Sequence, residues 1–162
     1  ATKNFGFRSK KLILGARAKH ILERTSPNGF DVIINENWKE GIASSIRLGV
    51  HSIQKVSAIT EILILLADQP YSNAEIIKEL TANHHSGQIT ACSYKNTLGV
   101  PAIFTHRFFP ELLQLEGDQG AKKIILEHSQ LVHAVPFPLG SIDIDNPEDL
   151  HELIESESRK DK

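Results

Sequence analysis

The sequence predicts an α/β protein built on parallel strands, and three stretches carry that prediction. Residues 62–66 are five apolar residues in a row, too short for a helix, and a proline follows shortly after them. Such a run is typical of a strand buried on both faces of a parallel sheet, so we expect it to be central and parallel to its neighbours. Residues 12–14 form a second short apolar run that turns at Gly15 into the helical stretch Ala18–Arg24. Residues 30–35 give the next strand, so strands and helices alternate.

The remaining elements follow in order along the chain. We expect helices at 40–53, 73–82, 106–115 and 122–128 and from 147 onward, and strands at 89–94 and 131–136. Residues 100–104 form an extended segment, where Pro101 argues against a central strand position because proline cannot donate to a ladder. The helix predicted at 73–82 is expected to be capped by Ser72 or Asn73.

Length and composition indicate one domain, residues 1–154, followed by a charged tail at 155–162 that we expect to be frayed. A chain of 162 residues can bury about 70% of its unfolded surface, so it needs no disulfide framework. The single Cys92 is expected to be a buried thiol, and one cysteine fits a cytoplasmic protein. The net charge of -2 with mixed signs gives no basic stripe for nucleic acid, and no apolar run reaches the ~20 residues of a membrane span.

Carboxylates stand at two places where a ligand could be held. Asp68 comes just after the 62–66 strand, and in open α/β sheets ligands bind beyond the carboxyl ends of the strands. The alternative is an aspartate that only caps the following turn. Asp143 and Asp145 alternate with isoleucines, so both project from one side of an extended segment. Two carboxylates on one side are costly unless a cation lies against them. Asp149 is expected only to start the last helix.

Small residues mark two further candidate sites. Gly41, Ser44 and Ser45 stand at the start of a predicted helix, where free amides and hydroxyls can bind an anion. Ordinary capping by serine explains the same pattern. In residues 117–121 (GDQGA), glycines on both sides of an aspartate allow the backbone to approach a ligand closely, or simply make a tight turn.

Taken together, five motifs come in an order that resembles a known family. They are residues 35–47 (NENWKEGIASSIR), 66–70 (LADQP), 99–101 (GVP), 117–121 (GDQGA) and 143–150 (DIDNPEDL). The chain resembles the nucleotidyltransferases related to molybdenum cofactor cytidylyltransferase. The wider group includes molybdopterin guanylyltransferases and sugar-phosphate nucleotidyltransferases. The resemblance extends from residue 12 to about residue 153.

The resemblance implies a three-layer α/β/α, Rossmann-like domain with a mostly parallel mixed sheet, of the nucleotide-diphospho-sugar transferase type. It also implies Mg²⁺, a nucleoside triphosphate (CTP or GTP), and molybdopterin or a related phosphate acceptor, with molybdoenzyme apoproteins as further partners. By the family match, the metal ligands and catalytic residues are Asp68 and Asp145, with Asp143 as a neighbour. The nucleotide-side residues are Gly41, Ser44 and Ser45, and the acceptor-side residues are Gly99, Pro101, Gly117, Asp118 and Gly120.

Two departures from the family pattern bear on activity. The family begins with a strand and a glycine-rich loop that wraps the triphosphate, and we expect this loop to be missing from the chain as given. Lys122 stands where an arginine is usual. An enzyme is therefore one hypothesis, a non-catalytic accessory protein of molybdenum cofactor maturation is a second, and a transferase for a sugar or alditol phosphate is a third.

Overall fold

Strands and helices alternate through the described part of the chain except where β5 follows β4 and α5 follows α4. The structure is a computed structural model that describes residues 5–56 and 58–160, with side chains up to residue 156. The strands are β1 (Lys11–Leu14), β2 (Asp31–Ile34), β3 (Glu61–Ile64), β4 (Ile89–Tyr94), β5 (Thr97–Thr105) and β6 (Val132–Pro136). The helices are α1 (Ala18–Arg24), α2 (Ile42–Gln54), α3 (Ala74–Ala82), α4 (Phe109–Leu113), α5 (Lys122–Glu127) and α6 (Pro147–Lys160).

Side chains cap the starts of two helices, α3 and α6. The Asn73 carboxamide oxygen accepts from the amides of Glu75 and Ile76, which confirms Asn73 as the cap of α3. Asp149 accepts from two amides just before α6, so its predicted place at the helix start is confirmed. Helix α6 continues to Lys160, so residues 155–160 are helical rather than frayed as predicted. Residues 1–4 of the predicted domain and 161–162 of the predicted tail lie outside the described residues.

The position predicted for the 62–66 strand is wrong. Within the described residues, β1 and β2 form a parallel pair, and the other strands form a sheet in the order β3-β5-β4-β6. Strand β3 lies at the edge of this sheet and runs antiparallel to β5. The cause is a hairpin, because Lys95 and Asn96 both have positive φ and join β4 to β5 by a two-residue turn. The returning strand β5 fills the position between β4 and β3.

Pro101 lies inside β5, an interior strand, which corrects the expectation that proline keeps this segment out of the centre of the sheet. The register explains how it is tolerated. Ala91 pairs with Ala102 and the next residue, Cys92, pairs with Gly99, so Val100 and Pro101 bulge from the ladder. Pairing with β3 stops at Ala102. The missing N–H of Pro101 therefore costs no ladder bond on either side.

Helices cover both faces of the four-stranded sheet. One core joins residues of α2, α4 and α5 to one face of the strands, where Ile62, Ala91 and Phe104 lie. A second core joins α3 to the opposite face, where Cys92 and Ile103 lie. The alternation follows from the two-residue period of a strand. The predicted three-layer α/β/α fold class with a mixed sheet is confirmed.

The strand directions bring several loops to one rim. Strands β3 and β4 both run antiparallel to β5, and β6 runs parallel to β4, so β3, β4 and β6 share one direction. The segments after these strands, which begin at residues 65, 95 and 137, therefore meet at one edge of the sheet. Asp68, Tyr94 and Phe137 lie in or beside them. None of the helices in the described residues combines the length and apolar composition that a membrane crossing needs.

Candidate functional site

Three carboxylates gather at this rim. Asp68 follows β3, and its carbonyl oxygen accepts a hydrogen bond of 2.8 Å from the amide of Ile144. The bond places Asp143 and Asp145, the two neighbours of Ile144, beside the chain at Asp68. Both act electrostatically on the Asp68 side chain. The structure thus brings together the three aspartates that the resemblance implied.

The environment of Asp68 disfavours a negative charge. Partial burial raises the pKa of its carboxyl above the ordinary value, a backbone hydrogen bond partly opposes this, and the charges of Asp143 and Asp145 raise the pKa further. The Oδ1 atom of Asp68 is buried without a hydrogen-bond partner. A buried acceptor without a donor is costly, and a cation at this oxygen would remove both the repulsion and the lost solvation.

The donor set fits a hard cation with few protein ligands. Among the described residues, no group of three or more His, Cys, Asp or Glu side chains is arranged to hold a metal by itself. Mg²⁺ is usually held by one or two carboxylates, with waters and substrate phosphates completing its octahedron. The carboxylate oxygens of Asp68 and Asp145 match this way of binding Mg²⁺. They do not match a metal whose ligands all come from the protein.

The start of α2 is not the open anion site that we expected. The amide of Ala43 donates to the carbonyl of Gly117 at 3.1 Å, and the amide of Ser44 donates to the carbonyl of Gly41 at 3.2 Å. The expectation of free amides is therefore wrong for Ala43 and Ser44. The 117–121 loop lies on the first turn and takes the Ala43 amide, whereas the Ser44 amide is used within the turn itself.

The two serines instead hold an asparagine at the end of β2. The Asn35 carboxamide donates to the hydroxyl oxygens of Ser44 at 2.8 Å and Ser45 at 2.9 Å. The Ser44 hydroxyl donates in turn to the carbonyl of Gly41 at 2.8 Å. Asn35 is only 3% exposed, so this network is internal. Any contact of Gly41, Ser44 and Ser45 with a nucleotide stays a prediction.

The loop that carries Gly117, Asp118 and Gly120 is held in place by Arg47. The Arg47 guanidinium contacts both carboxylate oxygens of Glu40, at 2.6 and 2.7 Å, and donates to the carbonyl of Leu115. Gly41 has no room for a side chain, because a Cβ there would meet the Gly117 carbonyl and lie 2.5 Å from Asp118 Oδ1. Motifs predicted for the nucleotide side and the acceptor side are thus in direct contact.

Gly99 and Pro101 do not line an accessible surface. Both are buried, and a Cβ at Gly99 would collide with the hydroxyl of Tyr94. In this structure they shape the rim through Tyr94 and through the bulge of β5.

Beside Tyr94 lies an open groove of about 560 Å³, with Lys95, Leu98, Leu126 and Pro138 among its lining residues. Cys92 lies elsewhere, in the core, where burial raises the pKa of its thiol to about 12 and leaves it protonated.

A family model described as the MobA-like NTP transferase domain matches residues 4–132. The chain belongs to this family. The resemblance found in the motifs is confirmed at this level, as is the type of function, nucleotidyl transfer. Asp68 and the 117–121 loop lie inside the matched range, whereas Asp143 and Asp145 follow it.

Two known proteins, one of them in two crystal structures, are similar to this chain. "Nicotine blue oxidoreductase" of Paenarthrobacter nicotinovorans is 24% identical over 153 residues, which cover 88% of this chain and 74% of the relative. The crystal structure of Rv0371c from Mycobacterium tuberculosis H37Rv has a TM-score of 0.78 and 26% identity, covering 93% of this chain and 77% of that chain. A complex of Rv0371c with manganese has a TM-score of 0.75 and 24% identity, with 93% and 80% covered.

A more distant structure shares the fold alone. Molybdopterin-guanine dinucleotide biosynthesis protein A from Archaeoglobus fulgidus has a TM-score of 0.56 and 17% identity, covering 91% of this chain and 78% of that chain.

Four residues that make side-chain contacts at the acidic rim or at the start of α2 had no role in the sequence analysis. Asn35, Arg47 and Gln69 stand inside the recognised motifs, and Tyr94 ends the predicted β4. For the three in motifs this position was a signal, but Arg47 and Gln69 each donate to a carbonyl far along the chain. Gln69, for example, donates to a carbonyl 71 residues away. Sequence spacing alone does not predict such contacts.

Proposed function

We propose that this chain is a nucleotidyltransferase that moves CMP from CTP onto the phosphate of molybdopterin and releases pyrophosphate. The observation that carries this proposal is the buried, unpartnered Oδ1 of Asp68 beside two further carboxylates, at the rim where α/β sheets bind ligands. Family membership supports the reaction class. The choice of CTP over GTP rests on the motif resemblance.

The metal in this proposal is Mg²⁺, held by Asp68 and Asp145 with Asp143 nearby. Magnesium and manganese both prefer carboxylate and phosphate oxygens, and the Rv0371c relative has been crystallised with manganese. When bound, Mg²⁺ would neutralise charge that develops on the phosphate oxygens during transfer. The electrostatic repulsion on Asp68 is the feature of this chain that favours such a cation.

In this proposal the chain's own residues position the two substrates through two segments that contact each other. The nucleotide lies near Gly41, Ser44 and Ser45 at the start of α2, and the acceptor side includes the 117–121 loop. A phosphate oxygen of the acceptor forms a bond to the α-phosphorus of CTP. The bond from that phosphorus to the bridging oxygen breaks, and its electron pair leaves with pyrophosphate. Because no group of the chain becomes covalently attached, its contribution is position and charge.

Molybdopterin is the acceptor that fits the family and the motifs best. The Archaeoglobus fulgidus protein that shares the fold is named for molybdopterin-guanine dinucleotide biosynthesis. The groove beside Tyr94 gives an acceptor larger than a sugar phosphate a surface to lie on. A sugar or alditol phosphate transferase and a non-catalytic accessory protein are the alternatives. An oxidoreductase is a further alternative, because one relative carries that name.

Pyrophosphate release separates these functions. The protein is incubated with Mg²⁺ and either CTP or GTP, with molybdopterin, with a sugar phosphate or without an acceptor. We expect pyrophosphate only with CTP and molybdopterin. Asp68→Asn and Asp145→Asn should abolish release, whereas the matched control Asp31→Asn should not, because Asp31 pairs with Lys11 at the start of β2.

Other outcomes point elsewhere. Pyrophosphate release with a sugar phosphate but not with molybdopterin would assign a different acceptor. Release with GTP but not with CTP would assign a different nucleotide. Absence of release under every condition, with molybdopterin still bound, would favour the accessory function. Oxidation or reduction of a ligand without any nucleotide would refute the proposed nucleotidyltransferase function.

A further inference from the structure

Gln69 ties the chain after β3 to the turn that leads to Asp143. It directly follows Asp68 and is only 6% exposed. Its carboxamide donates to the carbonyl of Gly140 at 2.9 Å and to that of Val100 at 3.3 Å. A buried side chain that makes two hydrogen bonds to backbone carbonyls fixes the separation of the segments that it joins. The segment after β3 carries Asp68, and the turn that contains Gly140 leads to Asp143 and Asp145.

Tyr94 completes the same contact. Its hydroxyl donates to the carbonyl of Val100 at 3.0 Å, the same carbonyl that accepts from the Gln69 carboxamide. Two glycines make room for it. A Cβ at Gly99 would collide with the Tyr94 hydroxyl, and a Cβ at Gly140 would lie 2.8 Å from the Tyr94 ring. The end of β4, the bulge of β5 and the 138–141 turn therefore meet around one phenol ring.

These contacts work against electrostatic repulsion. Asp143 and Asp145 both repel Asp68, so the segment that carries them would move away if nothing held it. It is held by the Ile144 amide on the carbonyl of Asp68, by the Gln69 carboxamide on the carbonyl of Gly140, and by the exposed Lys95 ammonium, 3.4 Å from the carbonyl of Ser141. The first is a backbone bond that any residue could make. The second depends on the side chain of Gln69, which shares the Val100 carbonyl with the Tyr94 hydroxyl.

We propose that Gln69 and Tyr94 are positioning residues that set the distance between Asp68 and the Asp143–Asp145 pair, and thereby the affinity for a divalent cation. The proposal rests on the proposed function, because it takes these carboxylates as the metal ligands. Neither residue needs to touch the metal. Their effect is to keep the two carboxylate segments within reach of one ion, against the repulsion that would separate them.

The test is the binding of Mn²⁺ alone, followed by the loss of the free-ion electron paramagnetic resonance signal. Gln69→Leu keeps the size of the side chain and removes both donors, and we expect its Kd for Mn²⁺ to rise about tenfold. Tyr94→Phe removes only the hydroxyl and should raise the Kd about threefold. Gln130→Leu is the matched control, because Gln130 is exposed and lies before β6, at the opposite edge of the sheet.

A second readout separates positioning from general destabilisation. In the pyrophosphate assay, Tyr94→Phe should raise the Mg²⁺ concentration for half-maximal release and leave the rate at saturating Mg²⁺ nearly unchanged. A variant that is only less stable would lose rate at every Mg²⁺ concentration. If Gln69→Leu does not fold, Tyr94→Phe carries the test, since it retains the whole ring.

The failure of the inference differs from the failure of the proposed function. If Asp68→Asn and Asp145→Asn lose Mn²⁺ while Gln69→Leu and Tyr94→Phe bind it like the unchanged protein, the positioning role is overturned and the metal site stands. If the two aspartate variants bind Mn²⁺ normally, the metal site itself is wrong, and the inference is overturned with it.

Discussion

Gly41 is the position where one added methyl group should damage this protein most. Its backbone has φ 111° and ψ -178°, a region that essentially only glycine occupies. A Cβ would also meet the backbone carbonyl of Gly117 and lie 2.5 Å from Asp118 Oδ1. We therefore expect Gly41→Ala to lose stability in two ways, through backbone strain and through displacement of the 117–121 loop.

The size of the effect follows from these two costs. A residue held in such a backbone region costs about 1–3 kcal/mol, and forced overpacking typically costs about 1–3 kcal/mol more. We expect Gly41→Ala to lower the free energy of unfolding by about 4 kcal/mol. For a chain of this length, the melting temperature should then fall by roughly 8–16 °C. A loss of this size is a large fraction of the stability of an ordinary domain.

Urea unfolding of three alanine variants separates the two costs. Gly87 has φ +82°, and no atom lies within 4 Å of the position that a Cβ would take there, so Gly87→Ala should show backbone strain alone, about 1 kcal/mol. Gly6 has neither a positive φ nor a neighbour within 4 Å, so Gly6→Ala should be nearly neutral. If Gly41→Ala costs no more than Gly87→Ala, the loop does not lie on the start of α2, and the contact between the two motifs is refuted.

Three further substitutions test the electrostatics. Asp68→Asn removes a partly buried charge that faces two carboxylates, so calorimetry should show equal or higher stability, by up to about 1 kcal/mol after solvent screening, while Mn²⁺ binding is lost. Burial lowers the pKa of His84 despite the nearby Glu61 carboxylate. The stability that its neutral form provides should therefore be complete above about pH 6.5 and be lost as the pH falls through the lowered pKa. Urea titrations from pH 7.5 to 5 should show a shallower loss in His84→Asn. Arg47 uses one nitrogen for Glu40 and the other for the Leu115 carbonyl, which a lysine with a single nitrogen cannot reproduce, so Arg47→Lys should cost about 1 kcal/mol and speed amide exchange in the 115–120 segment.

Local sequence signals predicted the elements well because each signal acts over a few residues. The helix Ala18–Arg24 has the bounds that the pattern predicted, and Asn73 caps α3 through its own side chain. The carboxylates at residues 68, 143 and 145 were found from strand ends and alternation, and the structure brings them together. These inferences required no knowledge of which strands are neighbours.

Strand pairing was predicted poorly because it depends on the return of distant segments. The apolar run that contains Ile62 has the composition of a central strand, yet β3 lies at the sheet edge of the described structure. Nothing in that run records that the Lys95–Asn96 turn sends β5 back beside it. Pro101 was misjudged for the same reason, because the bulge in the pairing of β5 with β4 removes the ladder bond that proline could not make. The roles of Gln69 and Tyr94 likewise require the tertiary structure.

The contacts that hold the acidic rim leave its carboxylates without a cationic partner among them, and this has a consequence for metal binding. A lysine or arginine that bonded to Asp68 would relieve its repulsion from Asp143 and Asp145, but it would also compete with a divalent cation for the same oxygens. The segments are fixed instead by an amide, the Gln69 carboxamide and the Tyr94 hydroxyl, and Lys95 donates to the carbonyl of Ser141. Such donors resist the repulsion without cancelling it. The negative potential therefore remains available to attract a metal. Until a cation binds, the repulsion among the three carboxylates lowers the stability of the fold.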